Sequence, residues 1–241
     1  MMPEVIFHQH AAEWLAARRA PSVAVARPAP EPLWWSIADW LGMSRRDLPR
    51  AFEEIDVPKI VGISGSASPL SRTRNIIETA TRRVAEETGG SVHLISISDL
   101  VPYLGIAVRG DAAVPVQDAL WRIETADLII VGSPVYKGSY TGLLKHLIDL
   151  VEYTSLAGVP VALIATGGSD RHALVVEHHL RPLFGFFSAR TLPTGLFILD
   201  KAIVGTTIED PLTASRFDQL VREAVDALAP VRAAQTALSA S

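Results

Sequence analysis

Short apolar runs alternate with longer amphipathic stretches over most of this chain. The runs are KIVGISGS, SVHLISI, DLIIVGSP, VPVALIATGG and a last one at residues 192–199. Each has the length of a strand, and near-continuous hydrophobicity is typical of strands that helices cover on both faces. SVHLISI alternates instead, which favours a place near the sheet edge. The stretches between and after the runs predict helices at residues 73–87, 116–125, 140–151, 172–187 and 212–229.

Five strands separated by helices predict a doubly wound α/β fold with a parallel sheet, because parallel neighbours need crossover connections. This pattern occupies residues 58–230, and residues 231–241 are expected to form a C-terminal tail. Residues 1–57 have a different composition, with a proline-rich linker at 20–32 and four of the five tryptophans of the chain. We expect an N-terminal extension there. It is either an arm that buries its tryptophans on its own domain or a neighbouring subunit, or a docking arm for a partner protein.

Composition excludes several classes of function. The chain has 241 residues, a formal net charge of −4 and no cysteine. The charge gives no reason to expect nucleic-acid binding, and the absence of cysteine excludes disulfides, thiolate metal sites and cysteine nucleophiles. Glu13, Arg18 and Arg19 interrupt the start of the chain where a signal peptide would need an apolar core, and no run is long enough to span a membrane. We therefore expect a cytoplasmic protein.

The loop after the first predicted strand, GSASPLSRTRN at residues 65–75, is rich in hydroxyl and basic side chains and leads into a helix. A helix N-terminus presents unpaired N–H groups that suit a phosphate. The loop lacks both GxxxxGK[ST] and a GxGxxG pattern, so a single phosphomonoester such as that of FMN fits better than a dinucleotide. The alternative is an ordinary serine or threonine cap with solvated arginines.

Two further loops follow the third and fourth predicted strands, and ligands of open α/β sheets bind at these strand ends. GSPVYKGSYTGLLKHLIDL, residues 132–150, offers backbone groups and aromatic rings on which a flat isoalloxazine could stack. ATGGSDRH, residues 165–172, would let the backbone approach such a ring closely. Each loop alone is also compatible with an ordinary turn. Together, the three loops predict a flavin site.

These three segments resemble the NADPH-dependent FMN reductase family, and most of all the reductases that supply reduced flavin to alkanesulfonate and methanesulfonate monooxygenases. The resemblance covers about residues 58–200. It implies a flavodoxin-like sheet of order 2-1-3-4-5, FMN and NADPH as ligands, and a homo-oligomer, either a dimer or a tetramer.

The resemblance also implies site residues. Those expected to hold the FMN phosphate are Ser66, Ser71, Arg72 and Thr73, with Arg74 and Asn75 beside them. Those expected to line the isoalloxazine are Pro134, Val135, Tyr136 and Lys137, with Ser139 nearby, and those expected on the pyrimidine side are Thr166, Gly167 and Gly168. Many relatives have an arginine where this chain has Ser68, which puts one phosphate or NADPH contact in doubt.

Relatives from the sulfonate group carry a one-residue insertion, a π-bulge, in the helix after the TGG loop. Alignment by eye puts His178 at that position, and π-bulges cluster at functional sites. The alternative is that Glu177, His178 and His179 form a polar interface or a solvated helix face. A metal site is not expected, because adjacent histidines diverge by roughly 100° around a helix.

The sequence therefore predicts an NAD(P)H:FMN oxidoreductase that needs no protein acid or base, since hydride passes between the two cofactors. Its product would supply a flavin-dependent monooxygenase. One alternative is a reductase that keeps FMN bound and reduces a quinone, azo dye or metal oxyanion. Another is a flavodoxin-like electron carrier, which the modest net charge does not favour.

Overall fold

In the computed structural model the described residues are 57–239, with side chains described as far as residue 229. The predicted N-terminal extension, apart from Val57, lies outside the described residues, as do its tryptophans. Within the described part, no helix is long and apolar enough to cross a membrane.

A five-stranded parallel sheet forms the centre of the described domain, in the order β2-β1-β3-β4-β5. The strands are β1 (Lys59–Ser64), β2 (Ser91–Ser96), β3 (Leu128–Pro134), β4 (Pro160–Gly167) and β5 (Arg190–Leu199). This order confirms the flavodoxin-like, doubly wound sheet predicted from the sequence. The alternating strand, β2, lies at an edge as expected.

Helices cover both faces of the sheet. They are α1 (Arg72–Thr88), α2 (Ile97–Leu100), α3 (Val114–Glu124), α4 (Gly142–Asp149), a π-helix (Val176–Leu180), α5 (Arg181–Gly185) and α6 (Pro211–Ser239). Short 3₁₀ turns lie at Val101–Tyr103, Arg109–Asp111, Asp170–His172 and Asp200–Ala202. One buried apolar cluster packs α3, α4, the π-helix and α5 on one face, and a second packs α1 and α6 on the other.

Glycines allow α1 to lie close against the strands that flank the candidate site. A Cβ added to Gly62 in β1 would come within 2.6 Å of the Thr81 hydroxyl, and one added to Gly132 in β3 within 2.5 Å of Ile77. Neither approach is sterically allowed, so these positions exclude any side chain. The N-terminus of α1 is thereby held directly beside the carboxyl ends of β1 and β3.

Three features of the fold differ clearly from the sequence prediction. The single helix expected at 172–187 is divided into a 3₁₀ turn, the π-helix and α5. A small antiparallel hairpin, β6 (Ile203–Val204) with β7 (Thr207–Ile208), was not predicted. The last helix, α6, continues through residue 239, ten residues beyond its predicted end, so the stretch expected to be a tail is helical at least that far.

Candidate functional site

The strand order reverses between β1 and β3, and the loops that leave the carboxyl ends of these two strands and of β4 meet at one edge of the sheet. In open α/β sheets this is the place where ligands bind. The loops occupy residues 65–71, 135–141 and 168–175. The structure therefore brings the three sequence-predicted segments together.

The N-terminus of α1 is open toward this edge. Ser71 is its cap residue, in extended conformation, and its hydroxyl accepts a hydrogen bond from the Arg74 amide at 3.3 Å. The first four amides of a helix have no partner inside the helix, so those of Arg72 and Thr73 remain for an anion. The Arg72 side chain is exposed, and it has no ion-pair partner among the described residues. This end of the helix suits a phosphate.

Two predicted phosphate ligands, Ser66 and Thr73, and one residue predicted on the pyrimidine side, Thr166, have their side chains turned to other partners. Thr73 is 2% exposed, and its hydroxyl lies 2.7 Å from that of Thr166 in β4, which is 1% exposed. The hydroxyl of Ser66, also buried, accepts a hydrogen bond from the Ser68 amide at 3.2 Å and so orders the loop itself. Through their side chains, Ser66, Thr73 and Thr166 hold the loops in place.

Two more predicted residues have their side chains bound elsewhere. Arg74 forms a surface ion pair with Asp99 at 3.4 Å, and the side-chain amide of Asn75 donates to the carbonyl of Gly205 at 3.0 Å. Gly205 lies in the turn of the hairpin that the sequence did not predict. Of the two arginines in the first turn of α1, Arg72 is therefore the one left for an anion.

The loop after β3 ends in a tight turn. The backbones of Tyr136 and Ser139 exchange two hydrogen bonds, at 2.9 and 3.2 Å, across Lys137 and Gly138. Both central residues have positive φ, 53° and 81°, as in a type I′ turn. A lysine in this region is uncommon and shows that the surroundings determine its backbone. The turn leaves the Tyr136 ring 55% exposed and the Lys137 side chain in solvent.

The loops after β3 and β4 are joined at their bases. Pro134 is in register with Thr166, and the Val135 amide donates to the Thr166 carbonyl at 2.8 Å. Gly167 is buried against Phe197, while Gly168 is exposed at the start of the next loop. Pro134 and Val135 are partly buried, and together with the exposed Gly168 they border a space in which a flat ring can approach the backbone.

Thr141 is a structural residue of the site that the sequence analysis missed. Its hydroxyl donates to the Gly65 carbonyl at 2.6 Å and accepts from the Leu144 amide at 3.2 Å, which caps α4. The amide of Gly65 donates to the Gly132 carbonyl at 2.7 Å. The bases of the first two loops are therefore tied to each other. A threonine before an apolar helix is a recognised cap signal and could have identified the role of Thr141.

The π-helix lies where the resemblance places a bulge, and His178 is its central residue. The residue that contacts the loop after β3, however, is His179. Its Nδ1 lies 3.1 Å from the Ser139 hydroxyl, and its ring meets Tyr140 edge-on at 6.2 Å between centroids. No sequence signal indicates this contact, because it depends on the register of the π-helix.

The π-helix is fixed to the edge strand β5. Arg181 donates to both carboxylate oxygens of Glu177, at 2.5 and 2.9 Å, and to the Leu192 carbonyl at 2.8 Å. The hydrogen bond from Arg181 lowers the pKa of Glu177, although partial burial opposes the shift. A Cβ on Gly195 in β5 would come within 2.7 Å of both Glu177 and Val176. Only glycine therefore allows the π-helix to pack this closely.

Basic side chains predominate around the three loops. Arg72, Lys137 and Arg171 have no ion-pair partner within the described part of the chain. No group of three or more metal-ligating side chains occurs among the described residues. The open helix N-terminus, the unpaired cations and the exposed tyrosine suit an anionic ligand that carries a flat ring.

The fold and this edge together define a flavodoxin-like protein with a site for a flat, phosphorylated ligand. FMN fits these residues: α1 offers its amides and Arg72 to a phosphate, and the turn at residues 136–139 and the glycines after β4 offer space and backbone to the ring.

The chain belongs to the NADPH-dependent FMN reductase family, whose model matches residues 58–203. It is 44% identical to the NADH-dependent FMN reductase SfnF of Pseudomonas putida over 167 residues, which cover 68% of this chain and 90% of that protein. It is also 44% identical to an FMN reductase (NADPH) of Pseudomonas aeruginosa over 140 residues, 58% of this chain and 75% of that one.

Among solved structures, the apo form of the NADH:FMN oxidoreductase EMOB superposes with a TM-score of 0.62 and 31% identity. The superposition covers 73% of this chain and 88% of that one. The family predicted from the three loops is thereby confirmed.

Proposed function

We propose that this protein is an NAD(P)H-dependent FMN reductase that takes up free FMN and releases it reduced. The observation that carries the proposal is the meeting of the three loops of the family at one sheet edge, next to the open N-terminus of α1. The relatives named above are FMN reductases.

The protein's part is to bind and orient, because the redox chemistry belongs to the two nucleotides. The amides of Arg72 and Thr73, with the Arg72 guanidinium, would hold the phosphate of FMN. Pro134, Val135 and Tyr136 would form the wall beside the isoalloxazine, with the Gly167–Gly168 backbone at its pyrimidine end. No side chain is required to move a proton.

The donor is a reduced nicotinamide nucleotide, and we propose NADPH on the basis of the sequence resemblance. The names of relatives do not decide this point, since two of equal identity are named for NADH and for NADPH. Both donors must therefore be compared directly.

The test measures oxidation of NADPH and of NADH at 340 nm with and without added FMN. Turnover that saturates in free FMN is expected, and it would establish flavin as a substrate. A yellow protein that shows no turnover with free FMN but reduces a quinone would refute the proposal and favour a reductase that retains its flavin. A protein that oxidises neither donor with any acceptor would point to an electron carrier.

We further propose that the reduced flavin serves a two-component monooxygenase and that the protein is a homo-oligomer. Exposed aromatic rings support an interface between copies, since Tyr153 and Phe186 are 60% and 62% exposed and pack edge-on at 5.2 Å. Light scattering after size exclusion should give a dimer or tetramer, and a monomer at all concentrations would contradict this. Coupled turnover with a sulfonate monooxygenase tests the partner.

A further inference from the structure

A small basic pocket lies beside the turn at residues 136–139. Its volume is about 150 Å³. The lining residues are Gly138, Arg171, His172, Leu174, Val175, His178 and His179. Four of these seven side chains are basic, and three of the seven histidines of the chain are among them.

Among the described residues, no carboxylate lines this pocket. Arg171 is exposed and has no ion pair with any described residue. The nearest carboxylates in sequence are Asp170 and Glu177, and neither lines the pocket. Glu177 is also bound by Arg181 through two hydrogen bonds. An unpaired guanidinium with imidazole donors around it is suited to a phosphate.

The size and place of the pocket restrict the ligand. A whole nucleotide needs a pocket of roughly 300 Å³ or more, so this volume suits one phosphate-sized group of a larger molecule. The pocket borders both loops that are proposed to contact the flavin ring, at Gly138 on one side and Arg171 on the other. A donor whose nicotinamide meets the flavin has its phosphates close by. Metal binding is not supported, since the described residues contain no cluster of three metal-ligating side chains.

We propose that Arg171, with His172 and His178, binds a phosphate group of the reduced dinucleotide. This inference rests on the proposed function. The group is either the diphosphate, present in both donors, or the 2′-phosphate, present only in NADPH. The pocket then determines donor affinity without touching the reacting atoms.

The test replaces Arg171 by glutamine and determines KM and kcat with saturating free FMN and three donors: NADPH, NADH and reduced nicotinamide riboside. Loss of one charge-assisted contact should raise KM about tenfold. The riboside carries no phosphate group, so its KM should not change. The matched control is Arg222→Gln, which removes the charge of another exposed arginine, on α6.

A rise in KM for NADPH alone identifies the 2′-phosphate, and an equal rise for NADPH and NADH identifies the diphosphate. Unchanged KM values for both dinucleotides would overturn the inference, as would an equal rise for the riboside or the same effect in Arg222→Gln. Calorimetric titration measures the affinity for NADPH independently of turnover. If the wild type binds NADPH but reduces no FMN, the proposed function fails, and weaker binding to Arg171→Gln still decides the inference.

Discussion

The buried hydrogen bond between Thr73 and Thr166 distinguishes two roles for residues that the family resemblance assigns to the flavin. Replacing either by valine keeps the shape of the side chain, including the Thr73 methyl group that faces Gly132. It removes one hydroxyl from a pair 2.7 Å apart, in residues that are 2% and 1% exposed.

The structure sets the expected magnitude. A single replacement leaves the other hydroxyl buried without its partner, which should lower the free energy of unfolding by about 1–3 kcal/mol. The double replacement leaves no unpaired hydroxyl, so its cost should be well below the sum of the single costs. The coupling between the two sites should be about 1–2 kcal/mol.

The assay combines urea unfolding with FMN titration by flavin fluorescence. We expect both stability and FMN affinity to recover in the double variant relative to the singles. If the Thr73 hydroxyl instead binds the phosphate, the double variant should lose as much FMN affinity as Thr73→Val. That result, or additive losses of stability, would refute the assignment. Thr79→Val is the matched control, since its hydroxyl bonds only within α1, to the Asn75 carbonyl.

Three more predictions concern the supports of the site. Thr141→Val removes the cap of α4 and the bond to Gly65, and it should cost about 2 kcal/mol in urea unfolding. Gly195→Ala places a methyl group against Glu177 and should displace the π-helix, with a loss of about 1–3 kcal/mol that thermal unfolding would detect. Because Arg181 lowers the pKa of Glu177, that pair stabilises the fold above the ordinary glutamate pKa of 4.5. The stability gap between wild type and Glu177→Gln should therefore close as the pH falls below that value.

Each of these has a matched comparison. Thr141→Ser retains the hydroxyl and should keep most of the stability, so equal losses for Ser and Val would contradict the capping role. Gly105→Ala adds a methyl group where nothing lies within 4 Å and should be nearly neutral. A gap between wild type and Glu177→Gln that stays constant from pH 7 to pH 3 would contradict the role of the ion pair.

Local signals in the sequence were sufficient for most of the fold. Helix α1 was predicted to within one residue at each end, because Ser71 and the left-handed Gly89 terminate it. The strand ends were recognisable because uniformly apolar runs stop at glycine, serine or proline. The three loops were found for the same reason.

Other parts of the site depend on contacts that no local pattern encodes. Asn75 binds Gly205 in a hairpin 130 residues away, so its predicted role as a phosphate ligand could not be weighed from the loop alone. The π-helix breaks the periodicity from which helices are recognised, and it brings His179 rather than His178 to Ser139. The hydroxyl pair of Thr73 and Thr166 likewise appears only when α1 and β4 are packed together.

The bonds that join Gly65, Gly132 and Thr141 have a consequence for the thermodynamics of flavin exchange. These groups are held by the protein's own hydrogen bonds, so ordering them costs a flavin no conformational entropy on arrival. Residues 67–70, the rim of the site, are exposed, with Leu70 at 94%, so contacts between their side chains and a flavin would cost side-chain entropy on binding. We therefore expect substitutions at the rim to change the dissociation rate of a flavin more than the position of its ring. Selection could therefore adjust residence time through the rim alone and leave the geometry of the ring unchanged.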